Sequence, residues 1–213
     1  HAIAFHGGMR KNMKKNLNFY ITLWIVKLIS AGLKLLGKNA TYYPGKLALD
    51  MCPGFMGMLD KPKTIIGVTG TNGKTTVSNM INDILIDNGY KIINNKYGSN
   101  IDAGIATTLL QGATLFGKSK KEIAVLEIDE RSAPKVFPYI TPTYLICTNI
   151  FRDSLMRNAH TEFISEIVSK NVPKDTIVIE NADDLICSGI APNNAKIYFS
   201  ICLLYTSPSP RDA

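Results

Sequence analysis

The stretch GVTGTNGKTT, residues 67–76, decides the fold of this chain. Its first two residues end an apolar run from Thr64 to Val68, and a helical pattern comes after it. The order is therefore strand, glycine-containing loop, helix. Glycines let backbone N–H groups turn onto phosphate oxygens, and the N-terminus of the next helix adds positive potential. The stretch therefore predicts a phosphate-binding loop.

Two side chains of this loop have predicted roles in holding a nucleotide. Lys74 is expected to reach the β- and γ-phosphates, and the hydroxyl of Thr75 is expected to bind Mg²⁺. The spacing departs from the general G-x-x-x-x-G-K-[ST] pattern, because Val68 stands five residues before Gly73 and Gly67 comes one place earlier. The alternative is a chance Gly-Lys-Thr turn, which the flanking strand and helix disfavour.

A second acidic ligand for Mg²⁺ is expected at the end of a neighbouring strand. The run IAVLEIDE, residues 123–130, places Glu127 at the end of an apolar strand, with Asp129 and Glu130 just beyond. Glu127 and Asp129 share a face by strand alternation, so position alone does not separate them. The alternative is a solvated strand end without a metal.

The rest of the chain alternates short β-rich runs with helical patterns, which predicts an α/β fold with a mostly parallel sheet flanked by helices. One helix is expected after the loop, ending at Asn88-Gly89, and another around Phe163 to Ile167. The predicted strands are Thr64 to Val68, Lys91 to Ile93, Ile123 to Ile128, Tyr144 to Cys147, Thr176 to Ile179 and Lys196 to Phe199.

Residues 17–38 predict an amphipathic helix. Lys27 and Lys34 interrupt its apolar run short of the roughly 20 residues that a membrane span needs. We expect the helix to pack on the domain through its apolar stripe, the alternative being contact with a membrane surface. The stripe consists of Leu17, Ile21, Trp24, Ile25, Leu28, Leu35 and Leu36, with Lys27, Ser30, Lys34 and Lys38 opposite.

Both ends of the chain differ in character from the middle. The formal charge is +7, but residues 16–201 carry only +3, so no polyanionic partner is implied. We expect residues 1–12 to be upstream or non-native, and residues 202–213 (CLLYTSPSPRDA) to be translated sequencing-adapter DNA rather than a natural proline-rich tail. The expected units are then a helix and lead-in segment, 13–60, and part of an ATP-binding domain, 61–201.

The four cysteines, at positions 52, 147, 187 and 202, show no C-x-x-C spacing. Neither a zinc site nor a disulfide framework is predicted. A reducing, cytoplasmic setting is therefore expected.

Three elements together resemble the ATP-dependent Mur ligases and the related folylpolyglutamate synthases: TGTNGKTT, the Glu after an apolar strand, and TN-x-x-x-D at residues 148–153. Within that superfamily the chain is most similar to MurT-type subunits of lipid II isoglutaminyl synthase. The similarity covers about residues 17–201. Its distinguishing pieces are PGKLAL (44–49), YGSNIDAGIATTLL (97–110), IDE (128–130), NIFRDSL (149–155) and NADD (181–184).

The resemblance implies the central, ATP-binding domain of a Mur ligase, and it implies roles for particular residues. Thr75 and Glu127 would bind Mg²⁺. Lys74, Asn149, Arg152 and Asp153 would be catalytic, near the γ-phosphate or the acceptor carboxylate; for the last two the alternative is a surface ion pair. The residues implied to bind ATP are Gly70, Thr71, Asn72, Gly73, Lys74, Thr75 and Thr76, with Asn181 near the adenine.

The implied reaction is ATP-dependent amidation of the D-glutamate α-carboxylate in the lipid II stem peptide, through an acyl phosphate. The implied partner is a GatD-like glutaminase that supplies ammonia, in a cytoplasmic heterodimer working at the inner membrane face, with possible peripheral membrane contact. Two alternatives stay open: another Mur-type amino acid ligase, such as a folylpolyglutamate synthase or a muramyl ligase, and a non-catalytic nucleotide-binding module.

The chain also departs from its relatives. They tend to read N-x-F-R-D-Q-L-D-R-Y-G-E where this chain has FRDSLMRNAHTE, so Ser154 and Met156 put substrate handling in doubt. His160 is interpreted as a helix cap or surface residue. A zinc ribbon and a further catalytic domain are implied downstream of Ile201. We therefore expect this chain alone to bind nucleotide without catalysing amidation.

Overall fold

The computed structural model describes residues 13–38, 40–96, 99–151 and 161–200. Its helices are α1 (Leu17–Leu35), α2 (Tyr43–Met51), α3 (Phe55–Met58), α4 (Lys74–Asp87), α5 (Asp102–Gly112), α6 (Ala133–Val136) and α7 (Thr161–Asn171). Its strands are β1 (Thr64–Thr69), β2 (Ile92–Asn94), β3 (Ile123–Glu127), β4 (Tyr144–Cys147), β5 (Ile177–Asn181) and β6 (Lys196–Phe199). Short 3₁₀ turns cover Glu130–Ser132 and Cys187–Gly189.

The six strands form one sheet in the order β2-β3-β1-β4-β5-β6, and every neighbouring pair is parallel. This arrangement confirms the predicted α/β fold, and the six strands lie where the sequence places them. β1, which leads into the phosphate loop, occupies the interior of the sheet between β3 and β4. Because all strands run the same way, their carboxyl ends share one edge, where ligands bind in open α/β sheets.

The interior strands are apolar because helices cover both faces of a parallel sheet. In β3, three successive residues, Ala124, Val125 and Leu126, are fully buried, as a strand enclosed on both sides requires. Val68 and Leu145 of the neighbouring strands are equally buried. The sequence shows this as a continuous apolar run rather than as alternation.

Helix α2 packs closely against α5, and Gly45 and Thr107 make this close approach possible. A Cβ atom at Gly45 would lie 1.9 Å from the carbonyl oxygen of Ala103, so only glycine fits there. The backbone N–H of Gly45 donates to Thr107 Oγ1 at 2.8 Å. Two of the segments that resemble MurT-type subunits, PGKLAL and YGSNIDAGIATTLL, are thereby joined.

Helix α1 packs on the domain as expected, but the predicted contact face is wrong. The buried residues are Phe19, Thr22, Leu23, Val26 and Ser30. The seven residues of the predicted apolar stripe are all exposed.

The predicted face is wrong because Lys27 was taken to mark the solvent side of the helix. Lys27 Nζ donates to the carbonyl oxygens of Leu110 at 2.9 Å and Ala113 at 2.7 Å. These carbonyls lie at the C-terminal end of α5, where a cation is favourable. Lys27 therefore faces the protein instead of marking the solvent side.

The cysteines within the described residues, Cys52, Cys147 and Cys187, are buried and form no disulfide. The same part of the chain holds no cluster of three or more His, Cys, Asp or Glu suited to a metal ion. Cys202 lies outside the described residues.

Candidate phosphate-binding site

The loop between β1 and α4 depends on two glycines with positive φ. Gly70 has φ +124°, and a Cβ atom there would lie 2.3 Å from Thr148 Oγ1 and 2.8 Å from the Asn149 carbonyl oxygen. Gly73 has φ +81° in open space, at the N-cap of α4. The first glycine allows the loop to approach the end of β4, and the second turns the chain into the helix.

The segment after β4 holds the loop through Asn149. The Asn149 side chain accepts from Asn72 N at 3.0 Å and donates back to the Asn72 carbonyl oxygen at 3.0 Å. Its own carbonyl oxygen accepts from Thr71 N at 2.8 Å. Thr148 Oγ1 adds a 2.6 Å bond to the Asn72 carbonyl oxygen. Asn149, predicted as catalytic, thus shapes the loop through both of its amide groups.

Lys74 is held by the carboxylate of Glu130, a residue that was not among the predicted site residues. Its Nζ lies 3.2 Å from Glu130 Oε1, and both side chains are only about one-tenth exposed. Lys74 Nζ also donates to the Gly70 carbonyl oxygen, and Glu130 Oε1 accepts from Gly70 N at 2.8 Å. Glu130 therefore fixes the start of the loop and its lysine together.

Strand alternation could not reveal Glu130, because it lies in the 3₁₀ turn that follows Asp129 rather than in a strand. The signal in the sequence was that Glu130 is the third acidic residue of the run EIDE, directly after an apolar strand.

The structure also distinguishes Glu127 from Asp129, the two acidic residues that strand position alone left as candidate metal ligands. Thr75 Oγ1 donates to Glu127 Oε2 at 2.9 Å, so the predicted pair lies together at the ends of α4 and β3. Asp129 instead accepts from Arg131 N at 3.0 Å and caps the 3₁₀ turn. A hydroxyl and a carboxylate side by side are oxygen donors that suit Mg²⁺.

Two asparagines hold Glu127 in place. Asn95, which is buried, accepts from Glu127 N and donates to its carbonyl oxygen, both at 2.8 Å. Asn100 Nδ2 approaches Glu127 Oε1 at 3.5 Å. Asn100 belongs to the YGSNIDAGIATTLL segment, for which no function was predicted.

Of the remaining predicted residues, Asn181 and Thr76 lie within the described part of the chain and the others lie outside it. Asn181 lies at the end of β5 and donates to the Thr148 carbonyl oxygen at 3.1 Å, on the same edge of the sheet as the loop. Thr76 is exposed in the first turn of α4. Predictions for Arg152, Asp153, Ser154, Met156 and His160 lie outside the described residues.

Behind the site, Asp184 supports the segment that carries Asn149. Its carboxylate accepts from Ile150 N at 2.7 Å, and from the N–H groups of Ile186 and Cys187 at 2.9 and 3.1 Å. The nearby thiol of Cys187 donates to the Cys147 carbonyl oxygen at 3.2 Å. A hydrogen bond with Cys187 and burial raise the pKa of the Cys147 thiol, which disfavours its reactive thiolate form.

A parallel sheet whose interior strand leads into a glycine loop, followed by lysine and threonine at a helix start, defines a P-loop nucleotide-binding domain. Residues 68–203 match the Mur ligase middle domain. The chain therefore belongs to the Mur ligase family, which confirms the resemblance.

Curated relatives refine this assignment. The MurT subunit of lipid II isoglutaminyl synthase from Staphylococcus aureus (strain COL) is 33% identical over 167 residues, covering 78% of this chain and 37% of that protein. Its counterpart from Streptococcus pneumoniae is 37% identical over 170 residues, with the same shares. The chain thus spans little more than a third of these relatives' length.

Among solved structures, the MurF ligase from Thermotoga maritima in complex with ADP has a TM-score of 0.56 and 18% identity. The match covers 74% of this chain and 36% of that one. At this identity the likeness shows a shared fold.

Proposed function

We propose that this protein is the ATP-binding part of a MurT-type amidotransferase subunit. In this proposal the intact enzyme uses ATP to activate the D-glutamate α-carboxylate of the lipid II stem peptide as an acyl phosphate. Ammonia from a GatD-like glutaminase then attacks it and releases phosphate. The observation that carries the ATP-binding part of the proposal is the pairing of Thr75 with Glu127 beside a glycine loop whose lysine is also in place. The amidation is proposed from the similarity to the MurT subunits.

The charge of the site supports phosphoryl transfer to a carboxylate. This step brings two anions together, so cationic groups must offset their repulsion. Lys74 supplies one positive charge, and the N-terminus of α4 directs its N–H groups toward the same place. Arg152 is proposed as a further cation for the acceptor, since a guanidinium fork matches a planar carboxylate.

Thr75 and Glu127 would hold Mg²⁺ next to the phosphates. When bound there, the ion neutralises charge on the β- and γ-phosphate oxygens. Asn95 and Asn100 orient Glu127 for this role, and Asn181 is proposed to contact the adenine.

The proposal is tested with the full-length protein and its glutaminase, supplied with lipid II, glutamine and ATP. Lys74→Ala is expected to abolish amidation, because the lysine contacts the transferred phosphoryl group. Lys170→Ala, in an exposed ion pair with Glu166 on α7, is the matched control and should retain activity. Amidation that continues unchanged in Lys74→Ala would refute the role of the loop.

The same assay separates the alternatives. Incorporation of an amino acid in place of ammonia would identify another Mur-type ligase, consistent with the fold shared with MurF. Nucleotide binding with no turnover by the full-length pair would identify a non-catalytic module, the possibility raised by Ser154 and Met156.

A further inference from the structure

Helix α1 carries an apolar face that points away from the protein. Positions 17, 21, 24, 28 and 35 recur at helical spacing and fall on one line along the helix. Phe116, in the turn after α5, is exposed as well. We call this the α1 surface, and it comprises Leu17, Ile21, Trp24, Leu28, Leu35 and Phe116, with exposures between 42% and 90%.

The turn after α5 is fastened to the helix, which makes the α1 surface continuous. The indole N–H of Trp24 donates to the Leu115 carbonyl oxygen at 2.9 Å. Lys15 Nζ donates to the Phe116 carbonyl oxygen at 3.3 Å. The backbone of Leu115 therefore lies beside Trp24 and that of Phe116 beside Lys15, so two more exposed apolar residues are held next to the helix.

The charges around this surface are strongly one-sided. Residues 13–38 contain no acidic residue and five lysines, of which Lys27 faces the protein, and the turn over residues 114–121 adds three more lysines. Asp60 faces this region and pairs with Lys15 at 2.9 Å. Burial lowers the pKa of Lys27, and the positive charges of Lys120 and Lys34 lower it further.

We propose that the α1 surface binds an anionic phospholipid bilayer, with the helix lying in the membrane plane. An apolar helix face bordered by lysines is the pattern of interfacial helices, and tryptophan favours the interface because its ring is apolar and its N–H is polar. Lysine is depleted at protein–protein interfaces, which argues against a protein as the occupant. Anionic headgroups attract lysines that lie beside the membrane surface, which adds to the burial of the apolar face.

The helix lies on the membrane in this proposal and does not cross it. By length and composition α1 could span a bilayer, which differs from the expectation based on Lys27 and Lys34: it has 19 residues, and an 18-residue stretch of it has a mean hydropathy of 1.2. However, Phe19, Leu23 and Val26 are fully buried in the core, and the ring centroids of Phe19 and Phe55 lie 5.3 Å apart. A spanning helix would have to withdraw these side chains from the core, whereas surface binding uses only residues that are already exposed.

The test mixes the full chain with vesicles of phosphatidylcholine alone, or of phosphatidylcholine and phosphatidylglycerol in equal amounts. Trp24 is the single tryptophan, so its fluorescence reports on the α1 surface directly. We expect a blue shift with the mixed vesicles, lost at high salt. Binding should be more than about tenfold tighter than to phosphatidylcholine alone, because each lysine near the surface contributes roughly fivefold.

Replacing exposed apolar residues should remove the effect without unfolding the protein. Leu28→Ser combined with Phe116→Ser is expected to weaken vesicle binding by roughly tenfold or more. Met80→Ser combined with Ile84→Ser is the matched control, because both residues are 59% exposed on α4 and should leave binding unchanged. Circular dichroism of both variants establishes that the fold is kept.

Three results would overturn the proposal: equal binding to both vesicle types, equal loss in both double variants, or no vesicle binding. If vesicle binding is absent and the protein self-associates through the α1 surface, the occupant is a second copy of the chain. The proposal deepens the function above, whose acceptor is lipid-linked. Since the vesicle assay contains no ATP, glutamine or lipid II, its failure is distinct from failure of the amidation assay.

Discussion

Gly70 and Gly73 both adopt positive φ, yet only Gly70 is also enclosed by neighbouring atoms. Gly73→Ala should therefore cost about 1 kcal/mol of unfolding free energy, from backbone strain alone. Gly70→Ala should cost about 3 kcal/mol or more, because a clash with Thr148 and Asn149 adds to the strain. Urea denaturation of the two variants measures the difference, and equal losses would contradict the close approach to β4.

Glu130 holds Lys74 and Gly70 N at the same time, and two substitutions separate these roles. Glu130→Gln keeps an acceptor for Gly70 N but removes the negative charge that competes with phosphate for Lys74. We expect it to tighten nucleotide binding by about threefold to tenfold. Titration with a fluorescent nucleotide measures this, and weaker binding would show that Glu130 instead positions Lys74 for the ligand.

Glu130→Ala leaves Gly70 N–H without its partner. It should lower stability by about 1–3 kcal/mol, the cost of an unsatisfied buried donor.

Lys61 gives the stability of the protein a particular pH dependence. Burial lowers its pKa from 10.5 to about 8. The folded state holds this proton less tightly than the unfolded chain does, so the contribution of Lys61 to stability is lowest below pH 8 and rises with pH up to about 10.5. The rise should reach at most about 3 kcal/mol.

Lys61→Met should lack this rise. Denaturation of both proteins between pH 7 and pH 10.5 tests it, since the difference between them cancels the other titrating groups. Parallel pH profiles would contradict the pKa shift.

At the scale of elements, α1 offers two leucines with the same chemistry on opposite faces. Leu23 is fully buried, while Leu28 is 76% exposed. Leu23→Ala should cost about 2–5 kcal/mol, and Leu28→Ala less than about 0.5 kcal/mol. Thermal or urea unfolding measures both, and the reverse order would show that the helix packs through the face predicted from sequence.

The buried face of α1 could not have been identified from periodicity, because the helix has two apolar faces. Phe19, Leu23 and Val26 form one, and the line from Leu17 to Leu35 forms the other. Lysines usually indicate the solvent side, but Lys27 satisfies carbonyl groups at the end of α5, a contact between residues 83 positions apart or more. Such a contact exists only after the tertiary fold has formed.

The strands of the sheet could be predicted because their signal is local. Each interior strand is a short apolar run bounded by turns, which can be identified without knowing its neighbours in the fold. The same holds for the loop and for the strand-end position of Glu127. What the sequence left open, the choice between Glu127 and Asp129 and the part played by Glu130, depends on the turn that follows β3. Local pattern does not describe a 3₁₀ turn of three residues.

For the molecule as a whole, nucleotide binding should appear as added stability. A ligand at about 100 times its Kd adds roughly 2.7 kcal/mol, which for a chain of this size raises Tm by about 5–10 °C. We expect this shift with ADP or ATP and Mg²⁺, and its loss in Lys74→Ala. Glu127→Gln should lose only the part that requires Mg²⁺, and a shift that persists in Lys74→Ala would place the nucleotide elsewhere.

The interior position of β1 also has a consequence for how the protein is made. β1 and its loop are synthesised early, but the strands on either side, β3 and β4, follow more than 50 residues later along the chain. The nascent loop cannot take its final shape until Asn149 has left the ribosome, because that residue holds Asn72 in place. Until then the apolar residues of β1 lack their neighbouring strands, and unpaired apolar strands of this kind are prone to aggregation.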